Sequence, residues 1–162
     1  MAKLYEVEIK NLQTFKGRHE EVLYKGDIYY KNKFLGKWSQ DACGAICDIY
    51  NFNVSVLSEA LEKFKKSNLC MNEEWASADM LLTILIELNE KEKQFKKFKK
   101  KGWAGMIVIS NTYQFYFHPT SETEKECALK KASDLIKEVK KQCNNAILSL
   151  EFYSSLEDFD IK

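Results

Sequence analysis

Arginine is almost absent from this sequence, since Arg18 is the only arginine among 25 lysine and arginine residues. Lysine carries a point charge and lacks the planar guanidinium fork that reads base edges and grips phosphates through two hydrogen bonds. Sequence-specific recognition of DNA is therefore disfavoured. The near-neutral net charge of +1 hides this imbalance within the basic residues.

Signatures of catalysis and of a bound metal or cofactor are also missing. The chain has only two histidines, His19 and His118, and no glycine-rich phosphate loop, so neither a cofactor nor a metal ion is expected. The pair Cys43 and Cys47 lacks the further ligands that a structural zinc site needs. One alternative stays open, because a nucleophilic Cys43 paired in space with His19 or His118 would give a cysteine hydrolase.

Signals for export and for membrane insertion are absent as well. The five cysteines are odd in number and follow no framework spacing, which is typical of a reducing compartment. Residues 1–10 carry no targeting signal, and the longest apolar run, Met80–Ile86, is far shorter than the ~20 residues of a membrane span. The sequence therefore predicts a cytoplasmic protein without membrane association.

The chain does contain enough apolar sequence for a core. It has 162 residues, of which 45% are hydrophobic and 30% charged, and no repeat or low-complexity linker divides it. We therefore expect a single domain over residues 1–162.

The longest predicted element is a helix from Asn72 to Gly102. Asn72 is suited to cap its N-terminus, and Gly102 can adopt the left-handed conformation that ends many helices. Apolar residues recur at helical spacing up to Leu88, which predicts a buried first half. Beyond Leu88 the pattern narrows to Phe95 and Phe98, which we expect to pack into the core.

Shorter segments complete the order β-β-β-α-α-β-β-α-β. Gly26 and Gly36 are expected at bulges or close contacts within strands, and the segments 11–20 and 40–53 are expected to be a loop or bent strand and a shaped loop. The fold class is therefore α+β, with three helices packed on a mainly antiparallel sheet. The predicted strands are Leu4–Lys10, Val22–Tyr30, Phe34–Ser39, Trp103–Ser110, Tyr113–His118 and Ala146–Tyr153, and the shorter helices follow caps at Asn53 or Ser55 and at Ser121.

The end of the long helix is strongly basic. Residues 91–101 contain Glu92 as their one acid, and a lysine cluster of this kind can bind a phosphate backbone or an acidic protein surface by electrostatics alone. The alternative is that these lysines form an ordinary solvated helix face. The candidate contacts are Lys93, Lys96, Lys97, Lys99, Lys100 and Lys101.

Two further segments are candidate partner surfaces. One is the aromatic hairpin that carries Tyr29, Tyr30 and Trp38. The other is the acidic end of the chain, which is expected either to fray or to dock on a basic surface. Its acids are Glu157, Asp158 and Asp160.

The segment 26–44 reads Gly-Asp-Ile-Tyr-Tyr-Lys-Asn-Lys-Phe-Leu-Gly-Lys-Trp-Ser-Gln-Asp-Ala-Cys-Gly. It resembles a hairpin of uncharacterised bacterial and phage proteins, in which two strands flank a lysine-rich turn and an S-x-D-x-x-G motif follows, here Ser39, Asp41 and Gly44. Ala42 and Ala45 stand where those proteins often have glycine. The resemblance covers about a tenth of the chain and implies a phage or prophage setting without implying an activity.

These observations favour a small non-enzymatic protein that acts by occupying the surface of a protein partner. By analogy, we expect a mobile-element inhibitor of a host nuclease, of the anti-CRISPR kind. The alternatives are a nucleic-acid-binding module that uses the segment Lys91–Lys101, and the cysteine hydrolase centred on Cys43. The sequence leaves the identity of the partner and the oligomeric state open.

Overall fold

The computed structural model of the chain describes residues 1–40, 48–50, 53–70, 73–110, 115–117, 121–142 and 149–162. It confirms the predicted α+β class, with three helices and mainly antiparallel strands. The strands are β1 Lys3–Leu4, β2 Val7–Lys16, β3 Val22–Tyr30, β4 Lys33–Ser39, β5 Asp48–Tyr50, β6 Met106–Ser110, β7 Phe115–Phe117, β8 Ser149–Tyr153 and β9 Asp160–Ile161. The helices are α1 Ser58–Lys65, α2 Ala78–Lys100 and α3 Glu122–Gln142.

The strands divide between two sheets, where the sequence suggests one. A six-stranded sheet has the order β5-β4-β3-β2-β1-β9, and a three-stranded sheet has the order β7-β6-β8. The chain also forms two compact units, one of residues 1–90 with 159–162 and one of residues 91–158. The expectation of a single domain stays a prediction.

The predicted hairpin of β3 and β4 is confirmed. Lys31 and Asn32 connect the strands with φ angles of 49° and 63°, which gives the two-residue turn whose twist matches that of the strands. Both glycines lie at the predicted irregularities. Gly26 faces the register shift of β2 between Lys10 and Gln13, and Gly36 adjoins the shift between β3 and β4.

Three other segments of the six-stranded sheet differ from the prediction. Leu4–Lys10 is not one strand, because Tyr5 and Glu6 form a tight turn with φ angles of 51° and 67° that pairs Leu4 with Val7. The predicted loop at residues 40–53 contains β5, which pairs with β4. The end of the chain does not fray, since β9 pairs in parallel with β1 and Phe159 is fully buried.

Each unit has its own buried side chains. In the second unit, Ile107 and Ile109 of β6 pack with Ala132 of α3, which lies against the small sheet. β6 is the central strand, as its continuous apolar run predicts. The fully buried residues of the first unit include Leu4, Val7, Ile28, Trp38, Leu57, Phe64, Leu81, Leu82 and Leu85.

The predicted start of the long helix at Asn72 is wrong. Residues 73–75 form a separate 3₁₀ turn, and α2 begins only at Ala78, where the Ser77 hydroxyl accepts a hydrogen bond from the Met80 amide at 3.1 Å. Asn72 itself lies outside the described residues. No helix within the described ranges is long and apolar enough to cross a lipid bilayer.

The capping residues predicted at Asn53 and Ser121 are confirmed. The Asn53 side chain accepts a hydrogen bond from the Ser55 amide at 3.0 Å and caps the 3₁₀ turn Val54–Leu57 that leads into α1, while α1 itself begins after Leu57 without a side-chain cap. The Ser121 hydroxyl accepts one from the Glu124 amide at 3.2 Å, at the start of α3. These bonds satisfy backbone donors that the first helical turn leaves without intrahelical partners.

Candidate functional site

Four exposed lysines form one row on the last turns of α2. They are Lys93, Lys96, Lys97 and Lys100, which we call the lysine stripe. The last three follow Lys93 by three, four and seven residues, and this spacing places all four on one face of the helix. The rise of an α-helix gives the row a length of about 10 Å. Leu88, Lys91 and Phe95 are buried residues of the opposite face. The core position predicted for Phe95 is thus confirmed.

Glu92 pairs with one lysine of the stripe. Glu92 is only 4% exposed, and its carboxylate lies 2.8 Å from the Lys96 ammonium. Burial alone would raise the pKa of the Glu92 carboxyl, but charged donors that include Lys96 hold it below its usual value. The side chains of Lys97 and Lys100 make no ion pair or hydrogen bond among the described residues. Their charges are therefore available to a partner.

The helix end that presents the stripe is closed by a Schellman motif. The Gly102 amide donates to the Lys99 carbonyl at 3.0 Å, and the Trp103 amide donates to the Phe98 carbonyl at 3.2 Å. Gly102 has a φ of 83°, the left-handed value that glycine tolerates best. The Phe98 and Trp103 rings stack with centroids 4.8 Å apart, which supplies the apolar contact of this motif.

Gly102→Ala is expected to lower the free energy of unfolding by about 1 kcal/mol, because a left-handed backbone brings Cβ close to the following carbonyl. A Cβ at this position would meet no atom within 4 Å, so the substitution isolates the backbone effect. Urea unfolding measures the change. Gly102→Asn is the control and should lose less, since asparagine tolerates this conformation better. An alanine variant as stable as the native protein would contradict the motif.

The two remaining candidate lysines of the helix end turn towards aromatic rings. The Lys101 ammonium lies 5.4 Å from the centre of the Trp103 ring, and Lys99 lies 5.9 Å from that of Phe95. The Trp103 ring therefore has both the Phe98 ring and an ammonium against it. Stacking of nucleic-acid bases on this tryptophan is disfavoured.

Charge is distributed unevenly between the two units. Residues 91–158 contain 13 lysines against 9 acidic residues, a net charge of +4, whereas the other unit has 12 basic and 15 acidic residues, a net charge of −3. The overall charge of +1 conceals this difference. The segment that carries the stripe is therefore the cationic part of the protein.

Lys91 belongs to the same basic segment but is not a surface residue. It is 7% exposed, and its ammonium lies 2.7 Å from the Glu151 carboxylate of β8. The Tyr153 hydroxyl donates a hydrogen bond to the same carboxylate. The cluster joins α2 to β8 within the second unit and thereby fixes the helix that carries the stripe.

One side chain of the acidic end forms hydrogen bonds with the neighbouring backbone. The Asp158 carboxylate accepts hydrogen bonds from the Ser154 and Ser155 amides at 2.6 and 2.9 Å. Burial would raise the pKa of Asp158, but these bonds outweigh it and hold the pKa below its usual value. Asp160 lies in β9 opposite Lys3, while Glu157 is exposed. Asp158 thus has a structural role besides any contact with a partner.

The aromatic hairpin offers less surface than its sequence suggests. Trp38 is 1% exposed and Tyr30 is 8% exposed, so both rings belong to the core. Tyr29 is half-buried, with the Phe34 ring at 5.5 Å and the Lys10 ammonium at 4.2 Å from its centre. Phe34 is 54% exposed. The accessible aromatic surface of this hairpin is therefore Tyr29 with Phe34.

The proposed cysteine hydrolase centre lies largely outside the described residues. Cys43, Cys47 and His118 are not among them, so that alternative stays a prediction. His19 is exposed, and its backbone amide donates to the Glu21 carboxylate at 2.7 Å. Within the described ranges, no group of three histidine, cysteine or acidic residues could hold a metal ion.

Comparisons with known proteins give no family for this chain. No protein-family model, curated protein or solved structure matches it.

Proposed function

We propose that the protein is a non-catalytic binding protein that acts by occupying the surface of a protein partner, and that the lysine stripe holds an acidic face of that partner. The observation that carries the proposal is the row of four exposed lysines backed by a buried helix face. Phe95 and the ion pair of Lys91 with Glu151 fix the helix, so the charges are presented on a rigid element.

A protein partner is favoured over nucleic acid by the number of available contacts. The stripe offers at most four, and Lys96 is shared with Glu92. Tight non-specific binders of nucleic acid make roughly 6–10 phosphate contacts. The engagement of Trp103 with Phe98 and Lys101 also makes this tryptophan a poor platform for the base stacking that single-strand binders use. A short row of point charges suits a patch of aspartate and glutamate side chains.

The more specific expectation, an anti-CRISPR-like inhibitor of a host nuclease, stays a prediction. Such an inhibitor would compete for a basic groove and would need acidic contacts such as Glu157 and Asp160. The proposal includes a cytoplasmic setting, because cysteines without framework spacing suit a reducing compartment.

Charge reversal of the stripe tests the proposal. The variant changes Lys93, Lys97 and Lys100 to glutamate and leaves the pair of Lys96 with Glu92 intact. The matched control changes three exposed lysines of α3, which gives the same net charge. These are Lys130, Lys131 and Lys141. Binding of a 20-residue polyglutamate peptide and of a single-stranded oligonucleotide is measured at two salt concentrations.

Polyglutamate should bind the native protein, and the stripe variant should bind it at least ~10-fold more weakly with a flatter salt dependence, because three ionic contacts become repulsive. The α3 control should keep most of the affinity. Equal losses in both variants would show that only net charge matters and would contradict the proposal. Preferential, stripe-dependent binding of the oligonucleotide would favour the nucleic-acid alternative.

A further inference from the structure

A cleft of about 480 Å³ lies on the six-stranded sheet. Its volume falls within the ~300–1,000 Å³ of typical small-molecule sites. Strands β2, β3 and β4 all contribute to it. The lining residues are Asn11, Gln13, Lys25, Gly26, Asp27, Lys37, Trp38 and Ser39.

The cleft lies where β2 bulges. Lys10 pairs with Asp27 and Gln13 pairs with Lys25, so two residues of β2 face Gly26 alone. Asn11 takes the left-handed conformation with a φ of 53° at this bulge. A Cβ on Gly26 would lie 2.6 Å from the Ile9 side chain, so glycine permits the close approach of the two strands. The bulge interrupts the ladder at the centre of the lining.

Two lysines of the cleft form no ion pair among the described residues. Lys25 pairs with Ser39 and Lys37 pairs with Asp27, so the two lysines are diagonal neighbours across β3 and β4. Residues at such positions have Cβ atoms roughly 7 Å apart. Neither ammonium makes an ion pair or a hydrogen bond with any described residue.

The acid beside these lysines has another partner. The Asp27 carboxylate accepts a hydrogen bond from the side-chain amide of Asn11 at 2.7 Å. The nearby Lys10 lies 3.8 Å from the Glu8 carboxylate and 4.2 Å from the centre of the Tyr29 ring. The bulge residue Asn11 therefore binds one oxygen of the Asp27 carboxylate, and Lys25 and Lys37, which have no ion pair of their own, can contact an external anion.

We propose that this cleft binds a small molecule that carries a carboxylate or phosphate group. The ammonium groups of Lys25 and Lys37 contact the anion, and the Gln13 amide supplies a further hydrogen-bond donor beside Lys25. Lysines impose no bidentate geometry, so the site accepts either anion type. The site belongs to the first unit and is separate from the lysine stripe, so the two proposals can fail independently.

The test is a titration of the full chain with inorganic phosphate, adenosine monophosphate and citrate at constant ionic strength, followed by amide resonances in NMR spectra. At least one probe should cause saturable shifts at residues 11–13, 25–27 and 37–39. Binding of both phosphate and adenosine monophosphate would indicate a phosphate site, whereas binding of citrate alone would indicate a carboxylate site.

The double variant Lys25→Gln with Lys37→Gln should weaken this binding at least ~10-fold, because both charge-assisted contacts are lost. The matched control is Lys33→Gln with Lys66→Gln, which removes two exposed lysines of the same unit. It should bind as the native protein does. The proposal is overturned if no probe causes saturable shifts up to about 20 mM, a very weak affinity, or if the double variant binds unchanged.

Discussion

Replacing Trp38 with alanine is expected to lower the free energy of unfolding by about 4 kcal/mol, the range measured for large aromatic residues removed from cores. Trp38 is 1% exposed and pairs with Gly26 and Ile49 inside the six-stranded sheet. The small side chain would leave a cavity that the paired strands cannot close. Chemical denaturation measures the loss.

A phenylalanine at position 38 should cost less, about 1–2 kcal/mol, because most of the ring volume is retained. The Trp38 Nε1 donor is buried and has no hydrogen-bond partner among the described residues, so its removal relieves an unsatisfied polar group. A Trp38→Phe variant as unstable as Trp38→Ala would contradict this account. Phe34→Ala is the control, since Phe34 is 54% exposed and should change stability little.

Lys91→Met is expected to cost about 3 kcal/mol, the lower end of the range for a buried ion pair that loses one partner. The methionine keeps the apolar stem but removes the ammonium that lies 2.7 Å from the Glu151 carboxylate. The lower end applies because the Glu151 side chain is 28% exposed and keeps some hydration. Urea unfolding of the single variant measures the effect.

The double variant Lys91→Met with Glu151→Gln should recover at least about 1 kcal/mol relative to Lys91→Met alone, because no unpaired charge stays buried. Lys137→Met is the control. Its ion pair with Asp134 is exposed on both sides, and such pairs contribute less than about 1 kcal/mol. Equal losses for Lys91→Met and Lys137→Met would show that the buried cluster does not fix the helix.

Local sequence signals predicted the hairpin of β3 and β4, the cap of the 3₁₀ turn before α1 and the cap of α3. These signals determine the conformation of residues only a few positions away. Examples are the turn at Lys31 and Asn32, the strand glycines and the capping hydroxyl of Ser121. Their effect is therefore readable without knowledge of the tertiary structure. Gly102 ends α2 for the same reason.

The missed elements depend on uncommon turns or on distant partners. Tyr5 and Glu6 adopt positive φ without the glycine or asparagine that usually marks such a turn, and the alternating pattern runs straight across them. The strand β9 is two residues long and exists through its pairing with Lys3 and Leu4 at the other end of the chain. No local pattern signals such a contact.

The candidate sites also combine features that local sequence predicts with features that depend on tertiary contacts. Helical spacing alone places the lysines of the stripe on one face, but it does not show that Lys91 is buried against Glu151. The cleft depends on the register that sets Lys25 and Lys37 diagonally and on the turn of Asn11 towards Asp27. Register and a bulge conformation follow from strand pairing, which the sequence leaves open.

The lysine stripe is tested most directly by a photo-crosslinking residue placed at Lys97, with the same residue at Lys130 of α3 as the control. Both variants are exposed to a nuclease-treated extract of cells that carry the gene. The account predicts a discrete protein adduct at position 97 that is absent at position 130 and is lost when Lys93 and Lys100 are reversed to glutamate. Equal labelling at both positions, or an adduct that persists after the reversal, would contradict it.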